Sequence, residues 1–319
     1  MKYPLLFLLF AALATGWMWL RAARFEARAE AAFPADGQMV EIDGKKLHLR
    51  ISGKGPPVVL IHGASGNLRD MTFRLAPALE TRFTVIAVDR PGLGHSPAFD
   101  PGGESLADQV ALMSAALDRL GFESVYLLGQ SFGGAVALRW ALDRPDQVAG
   151  MVLVAAVSNV WNTGLDPLYK LNVNPLSGPL LRLAIASVVP QSVVDASLAE
   201  VFAPQPVSAG YAERAGLALS LRRAQQRANA LQVAKLKEQV RAMVPRYGEI
   251  EVPVIALHGT ADKVVYYDIH TRLLADQIRD IEVVKLEGEG HMPHQTQTGK
   301  VVAALERLDE KLGLDDAGN

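Results

Sequence analysis

The stretch Val125-Tyr126-Leu127-Leu128-Gly129-Gln130-Ser131-Phe132-Gly133-Gly134 decides the reading of this chain. A short apolar strand runs directly into Gly-x-Ser-x-Gly, and small residues then open a helix. Strand, one-residue turn at Ser131 and helix form the context that presents a serine hydroxyl as a nucleophile. Such a turn strains the serine backbone, so side chains two positions away would clash. Gly129 and Gly133 relieve that clash, and Gly134 with Ala135 lets the helix close onto the sheet.

Outward from this stretch, other runs repeat its strand pattern. Residues 39–42 and 45–51 read as alternating strands joined by the Asp43-Gly44 turn signal. Residues 58–61 form a continuous apolar run of the kind buried on both faces, and 83–88, 148–154, 253–257 and 281–286 repeat it. Between the strands lie one-sided helical stripes. Leu106, Val110, Met113, Leu117 and Leu120 form one, with Ser105 and Asp108 spaced as a capping box; Val301, Leu305, Leu308 and Leu312 form another. Alternating strands and helices predict an α/β fold with a mostly parallel sheet covered on both faces, and the opening hairpin adds antiparallel strands at one edge. The alternation breaks over 158–247, a proline-rich helical stretch expected to form a cap. The expected layout is 1–22 anchor, 23–37 spacer, 38–157 and 248–314 core, 158–247 cap and 315–319 tail.

The 319 residues are half hydrophobic with a net charge of −2, which gives no electrostatic case for nucleic acid. The chain has no cysteine, so thiol chemistry and cysteine-bound metals are excluded. From Tyr3 to Leu20 the chain is uncharged, and as a helix this run spans about 27 Å, close to a bilayer's hydrocarbon core. Trp17 and Trp19 near one end suit an interfacial belt, with Arg21 and Arg24 following. A cleaved signal peptide is the competing reading, with Ala12-Leu13-Ala14 as its cleavage site. Cleavage there would leave Trp17-Met18-Trp19-Leu20 exposed, which favours a single-pass membrane anchor. The short tail leaves the orientation open.

A serine hydroxyl needs a base, and the base needs an orienting acid. Four strand-end stretches fit these roles: His62-Gly63-Ala64-Ser65-Gly66, Asp89-Arg90-Pro91-Gly92-Leu93-Gly94-His95-Ser96, His258-Gly259-Thr260-Ala261-Asp262 and Gly288-Glu289-Gly290-His291. In an open parallel sheet all four reach the carboxyl edge, where Ser131 also sits.

Through these four ordered motifs the chain resembles the α/β-hydrolase superfamily in its lidded, single-domain form, over roughly residues 38 to 312. The resemblance implies an eight-stranded α/β-hydrolase fold with Ser131 as nucleophile, Asp262 as acid and His291 as base. Phe132 and Ala64 are the matching positions for the two oxyanion-hole N–H groups. Residues 155–159 carry no carboxylate, which strengthens Asp262 over the acid position used by some members. An epoxide hydrolase or dehalogenase of this fold would carry aspartate at position 131.

The remaining histidines read as structural. His48 is expected at the surface, His62 in the oxyanion loop, His95 and His258 in turns, and His270 in solvent. His294 is a candidate substrate-side residue, Asp89 a structural turn residue, Arg69 a candidate for the pocket lining, and Asn67 a candidate for the pocket lining or for a helix cap. No nucleotide motif or metal-ligand spacing is present, so no cofactor is expected.

The expected partners are a hydrophobic small-molecule substrate and the membrane. The leading function is a membrane-anchored serine hydrolase cleaving an ester or related acyl bond. A carbon–carbon bond hydrolase of the meta-cleavage-product type, or a non-catalytic binding member, are the alternatives. Residues 178–189 are apolar enough to touch a bilayer, line a pocket or form a core helix of the cap.

Overall fold

A computed structural model describes residues 2–313; the expected tail 315–319 and residue 314 lie outside the described residues. The strands are β1 (Gln38–Ile42), β2 (Lys45–Ser52), β3 (Pro57–Ile61), β4 (Thr84–Val88), β5 (Val125–Gln130), β6 (Val148–Val154), β7 (Val254–Gly259) and β8 (Ile281–Leu286). They form one eight-stranded sheet in the order β1-β2-β4-β3-β5-β6-β7-β8. β2 runs antiparallel to both β1 and β4, and every other pairing is parallel. The apolar runs of β3 to β7 occupy the middle of this sheet because helices cover both its faces, whereas the expected buried run 281–286 forms the edge strand β8, where only Leu286 is buried.

The chain opens with α1 (Lys2–Ala32), and α2 (Leu68–Phe73), α3 (Leu75–Leu79), α4 (Leu106–Arg119) and α5 (Phe132–Asp143) follow among the early strands. Between β6 and β7 lie α6 (Pro167–Val173), α7 (Ser177–Val188), α8 (Gln191–Phe202), α9 (Tyr211–Arg214), α10 (Leu217–Ser220) and α11 (Arg223–Met243). The chain closes with α12 (Thr271–Leu274), α13 (Pro293–Thr296) and α14 (Thr298–Leu312). α4 begins at a reciprocal capping box: Asp108 N–H donates to Ser105 Oγ, and Ser105 N–H donates to the Asp108 carboxylate. Its apolar stripe packs with α5 on one face of the sheet, where Trp140 and Phe132 are buried; Val301, Leu305 and Leu308 of α14 close the other.

α1 stays helical to Ala32, so it continues through most of the stretch 23–37 read as a spacer. Over Leu6–Ala32 it is long and apolar enough to cross a membrane, and its most apolar window is only 6% buried, unlike a core helix. A signal sequence meets the same length and composition test. Its second half packs on the inserted helices: Ala22 is buried against Leu183 and Ala186 of α7, with Met18 and Phe25 alongside. Glu26 and Glu30, one turn apart, pair with Arg223 at 2.7 Å and Arg222 at 2.6 Å. The apolar stretch 178–189 therefore serves as the partner of α1. Deleting residues 1–16 is expected to leave the melting temperature nearly unchanged. Deleting 1–32 is expected to lower it by several degrees, because α7 loses its apolar cover and two arginines lose their carboxylates. Equal melting temperatures for the two truncations would contradict this packing.

Candidate active site

Ser131 sits between β5 and α5 with φ 53° and ψ −117°, a left-handed conformation for a residue with a side chain. Bonds at both ends enforce it: Ser131 N–H donates to Val154 O at 3.0 Å, and its carbonyl accepts from Val157 N–H at 3.1 Å. A Cβ at Gly129 would strike the Gly133 carbonyl, and one at Gly133 would strike the Ile61 carbonyl. Glycine at both positions is what allows the turn.

The structure brings Ser131, Asp262 and His291 together from the ends of β5, β7 and β8. Ser131 Oγ lies 3.0 Å from His291 Nε2, and His291 Nδ1 lies 2.7 Å from Asp262 Oδ2. All three are buried. Burial alone would push the Asp262 carboxyl up. Hydrogen bonds from His258 and His291 outweigh it and hold the group well below the usual carboxylate range. Asp262 Oδ1 also accepts the N–H groups of Val264 and Val265. His258 Nε2 donates to Val265 O at 2.7 Å and lies 3.3 Å from Asp262 Oδ2, so its Nδ1 accepts the Thr271 hydroxyl.

Ala64 follows β3 in the loop beside Ser131. Among the described residues no acceptor takes the Ala64 N–H. Phe132 opens α5, where the first N–H groups have no partner within the helix. Both donors are thus available to a developing oxyanion. His62 Nδ1 donates to Gly63 O at 2.9 Å and its Nε2 accepts Arg90 N–H at 3.1 Å. Burial, then the nearby Arg90 charge, pushes the His62 pKa down to about 4. A neutral imidazole with both nitrogens committed shapes the loop.

Sequence reasoning missed three features of this region. Arg90, fully buried, donates to the carbonyls of His62 and Gly63, each at 3.0 Å, and stacks 4.1 Å over the Phe132 ring. It braces the backbone before Ala64 and the ring of Phe132. Gln130 holds the histidine loop, donating to His291 O at 3.3 Å. Asp70 gathers Tyr211 Oη at 2.8 Å, His294 Nε2 at 3.1 Å and Gln295 Nε2 at 3.0 Å, tying α2, α9 and α13 together. Arg90 and Gln130 stand inside the strand-end motif 89–96 and the Gly-x-Ser-x-Gly motif, neither of which gave them a role; nothing local signalled Asp70.

Several expectations need correction. His48 is buried, its Nδ1 2.7 Å from Asp89, because β2 lies inside the sheet between β1 and β4. His270 is buried too, and its Nδ1 accepts the N–H groups of Ser158 and Asn159, each at 3.1 Å. His294 faces Asp70 and does not line the cavity over Ser131. Arg69 turns away from that cavity to the end of α1, donating to Pro34 O at 2.6 Å. Asn67 does both expected jobs, capping α2 and lining the cavity. Asp89 is the turn-holding residue, accepting from Leu68 and His95 N–H groups at 2.7 Å each. His95 Nε2 donates to Phe33 O, a link to the end of α1.

The buried imidazoles predict a pH dependence. Burial pushes His62 down to about 4 and His270 down to about 3, whereas the unfolded chain titrates near 6.5. The unfolded state therefore binds more protons between these values. Stability is full above pH 6.5 and falls as the pH drops toward 4, by about 3 kcal/mol from His62 alone. Asp262 adds to the loss only below its ordinary 3.8. Denaturant midpoints at pH 7 and 4.5 check this; a flat profile would contradict neutral, buried His62 and His270.

A cavity of about 350 Å³ opens over Ser131 and His291, lined by Val194, Leu198 and Val201 of α8 together with Leu217, Leu221 and Met292. No lysine or arginine lines it. Among the described residues no cluster of histidine, aspartate and glutamate could hold a metal ion.

Residues 56–297 match the family described as alpha/beta hydrolase fold, and the chain belongs to that family. It is 28% identical to 2-hydroxy-6-oxo-2,4-heptadienoate hydrolase of Pseudomonas putida, over 88% of this chain and 97% of that protein. It is 36% identical to the dihydrolipoyllysine-residue acetyltransferase component of an acetoin cleaving system of Cupriavidus necator, but spans only 32% of that protein's length. Among solved structures, a membrane phospholipase A described as a bacterial virulence factor superposes with a TM-score of 0.67 at 22% identity. That match covers 98% of this chain and 99% of that one, a span that takes in most of α1.

Proposed function

We propose that this chain is a membrane-tethered serine hydrolase that cleaves an ester or related acyl bond of a hydrophobic molecule through an acyl-enzyme. The observation that carries the reading is the continuous path from Ser131 Oγ through His291 to Asp262, 3.0 Å and 2.7 Å, at the floor of an apolar cavity. His291 Nε2 takes the proton of Ser131 as Oγ attacks the carbonyl carbon. The Ala64 and Phe132 N–H groups bind the oxyanion, a contribution on the order of 10²- to 10³-fold per donor. His291 then protonates the leaving alcohol, and a water molecule, deprotonated by the same imidazole, releases the acid and restores Ser131. Asp262, kept ionised, fixes the imidazole tautomer and stabilises its charged form. Residues 1–22 act as the anchor, 23–37 as the spacer, 38–157 and 248–314 as the catalytic core, and 158–247 as the cap that selects the substrate. The whole-length likeness to a membrane phospholipase A fits a tethered enzyme facing lipid-like esters.

The relative from Pseudomonas putida favours a second reading, carbon–carbon bond hydrolysis. A dienoate carries a carboxylate that needs a cation in the cavity, and the absence of lysine and arginine from the lining favours a neutral ester. Turnover of p-nitrophenyl esters of increasing acyl length, beside a 2-hydroxy-6-oxo-dienoate, decides between them. Ester turnover that rises with chain length is expected; turnover of the dienoate alone would overturn the assignment.

A further inference from the structure

The charges on α1 after its apolar run are sorted by face. Glu26 and Glu30 turn toward α11 and are neutralised by Arg223 and Arg222. Arg21, Arg24 and Arg28, spaced three and four apart, share another face and line a groove of about 470 Å³. No aspartate or glutamate lines this groove, and among the described residues none of the three arginines forms an ion pair. Arg21 stacks 4.9 Å over Trp17, and the opposite wall is apolar, with Val189, Val194 and Leu221. Three unneutralised guanidinium groups beside an apolar wall suit an amphiphile with an anionic head. They follow directly on the apolar run, at the depth where a bilayer carries its phosphates.

Val194 and Leu221 line this groove and also the cavity over Ser131. The two spaces thus meet at a shared apolar wall, with cations on one side and none on the other. Ser220, next in the chain to Leu221, lines the cavity with a buried hydroxyl that has no partner. From this juxtaposition we infer that the groove seats the anionic headgroup of a bilayer glycerophospholipid while its ester-linked chain passes Val194 and Leu221 to Ser131. The inference rests on the ester-hydrolase and anchor readings above and adds the substrate class. Phosphate and carboxylic ester are separated in such a lipid by a glycerol unit, so one molecule can lie on both sides of the wall. The guanidinium forks bind the phosphate, which neutral headgroups leave with a balancing cation and anionic headgroups do not. Attack by Ser131 breaks the acyl C–O bond, the lysophospholipid leaves with the proton from His291, and water releases the fatty acid.

The test uses the full-length chain in vesicles. With the Ser131→Ala chain in phosphatidylcholine vesicles containing a photoactivatable phosphatidylglycerol, adducts are expected within residues 17–28 and 185–194. Labelling there should fall at least about fivefold in the triple variant R21Q/R24Q/R28Q, with an intermediate loss in Arg24→Gln. Adducts spread evenly along α1, or labelling that the triple change leaves intact, would overturn the groove. Displacement of the label by inorganic phosphate, at matched ionic strength, would assign the groove to a soluble anion and overturn the lipid. In turnover, the unaltered chain should prefer phosphatidylglycerol over phosphatidylcholine by at least about tenfold, and the triple variant should lose that preference. Equal turnover of both lipids by the unaltered chain overturns the headgroup assignment. Parallel assays of p-nitrophenyl esters and of co-flotation with vesicles separate these failures from failure of the hydrolase or anchor readings.

Discussion

Replacing Ser131 with alanine is expected to lower ester turnover on the order of 10⁶-fold, the scale on which serine hydrolases lose kcat without their nucleophile. The fold should be unaffected. The turn at φ 53° is enforced by the Val154 and Val157 bonds to the Ser131 backbone, which alanine retains. Ser131 Oγ bonds to His291, and its removal leaves that imidazole with Asp262 and its place in the cavity. Stability should therefore stay within about 1 kcal/mol, read as the denaturant midpoint of the variant against the unaltered chain. Loss of turnover with unchanged stability separates a chemical role from a packing role.

The second large effect contrasts two histidines three residues apart. His291→Ala removes the group 3.0 Å from Ser131 Oγ and should cost turnover as heavily as loss of the serine, because the two act as one unit. His294→Ala removes instead a partner of Asp70, buried behind the cavity wall. Tyr211 and Gln295 remain on that carboxylate, so the expected cost is about 1–3 kcal/mol of stability, with kcat of the folded protein changed less than about tenfold. Steady-state kinetics on each variant, beside its denaturant midpoint, distinguish the two. Equal losses of kcat would mean that the base is misassigned.

The sheet was legible because its signals are local. Apolar runs such as 58–61 and 148–154 carry their own burial, and Asp43-Gly44 marks the hairpin by turn chemistry alone. Gly-x-Ser-x-Gly carries its geometry in residues two apart. What stayed hidden depends on partners distant in sequence. His48 looked like a polar residue on an edge hairpin, and only the placement of β2 beside β4 brings it to Asp89. His270 is held by Ser158 and Asn159, more than a hundred residues away, and the Asp70 cluster draws on α2, α9 and α13. Arg90 stands inside its strand-end motif with no role legible there, and its burial rests on two backbone carbonyls and the amides of Gln109 and Gln232. The stretch after the apolar run read only as a spacer, because Arg222 and Arg223, which receive Glu30 and Glu26, lie nearly two hundred residues away at the start of α11.

Labelling of the full-length chain with a fluorophosphonate reports whether Ser131 is an activated nucleophile, since the reagent reacts with an activated serine and not with an ordinary one. A single adduct mapped to Ser131 is expected, absent from Ser131→Ala and strongly slowed in His291→Ala. Folded protein that stays unlabelled beside a reactive control hydrolase, or an adduct on another serine, would contradict a nucleophilic Ser131.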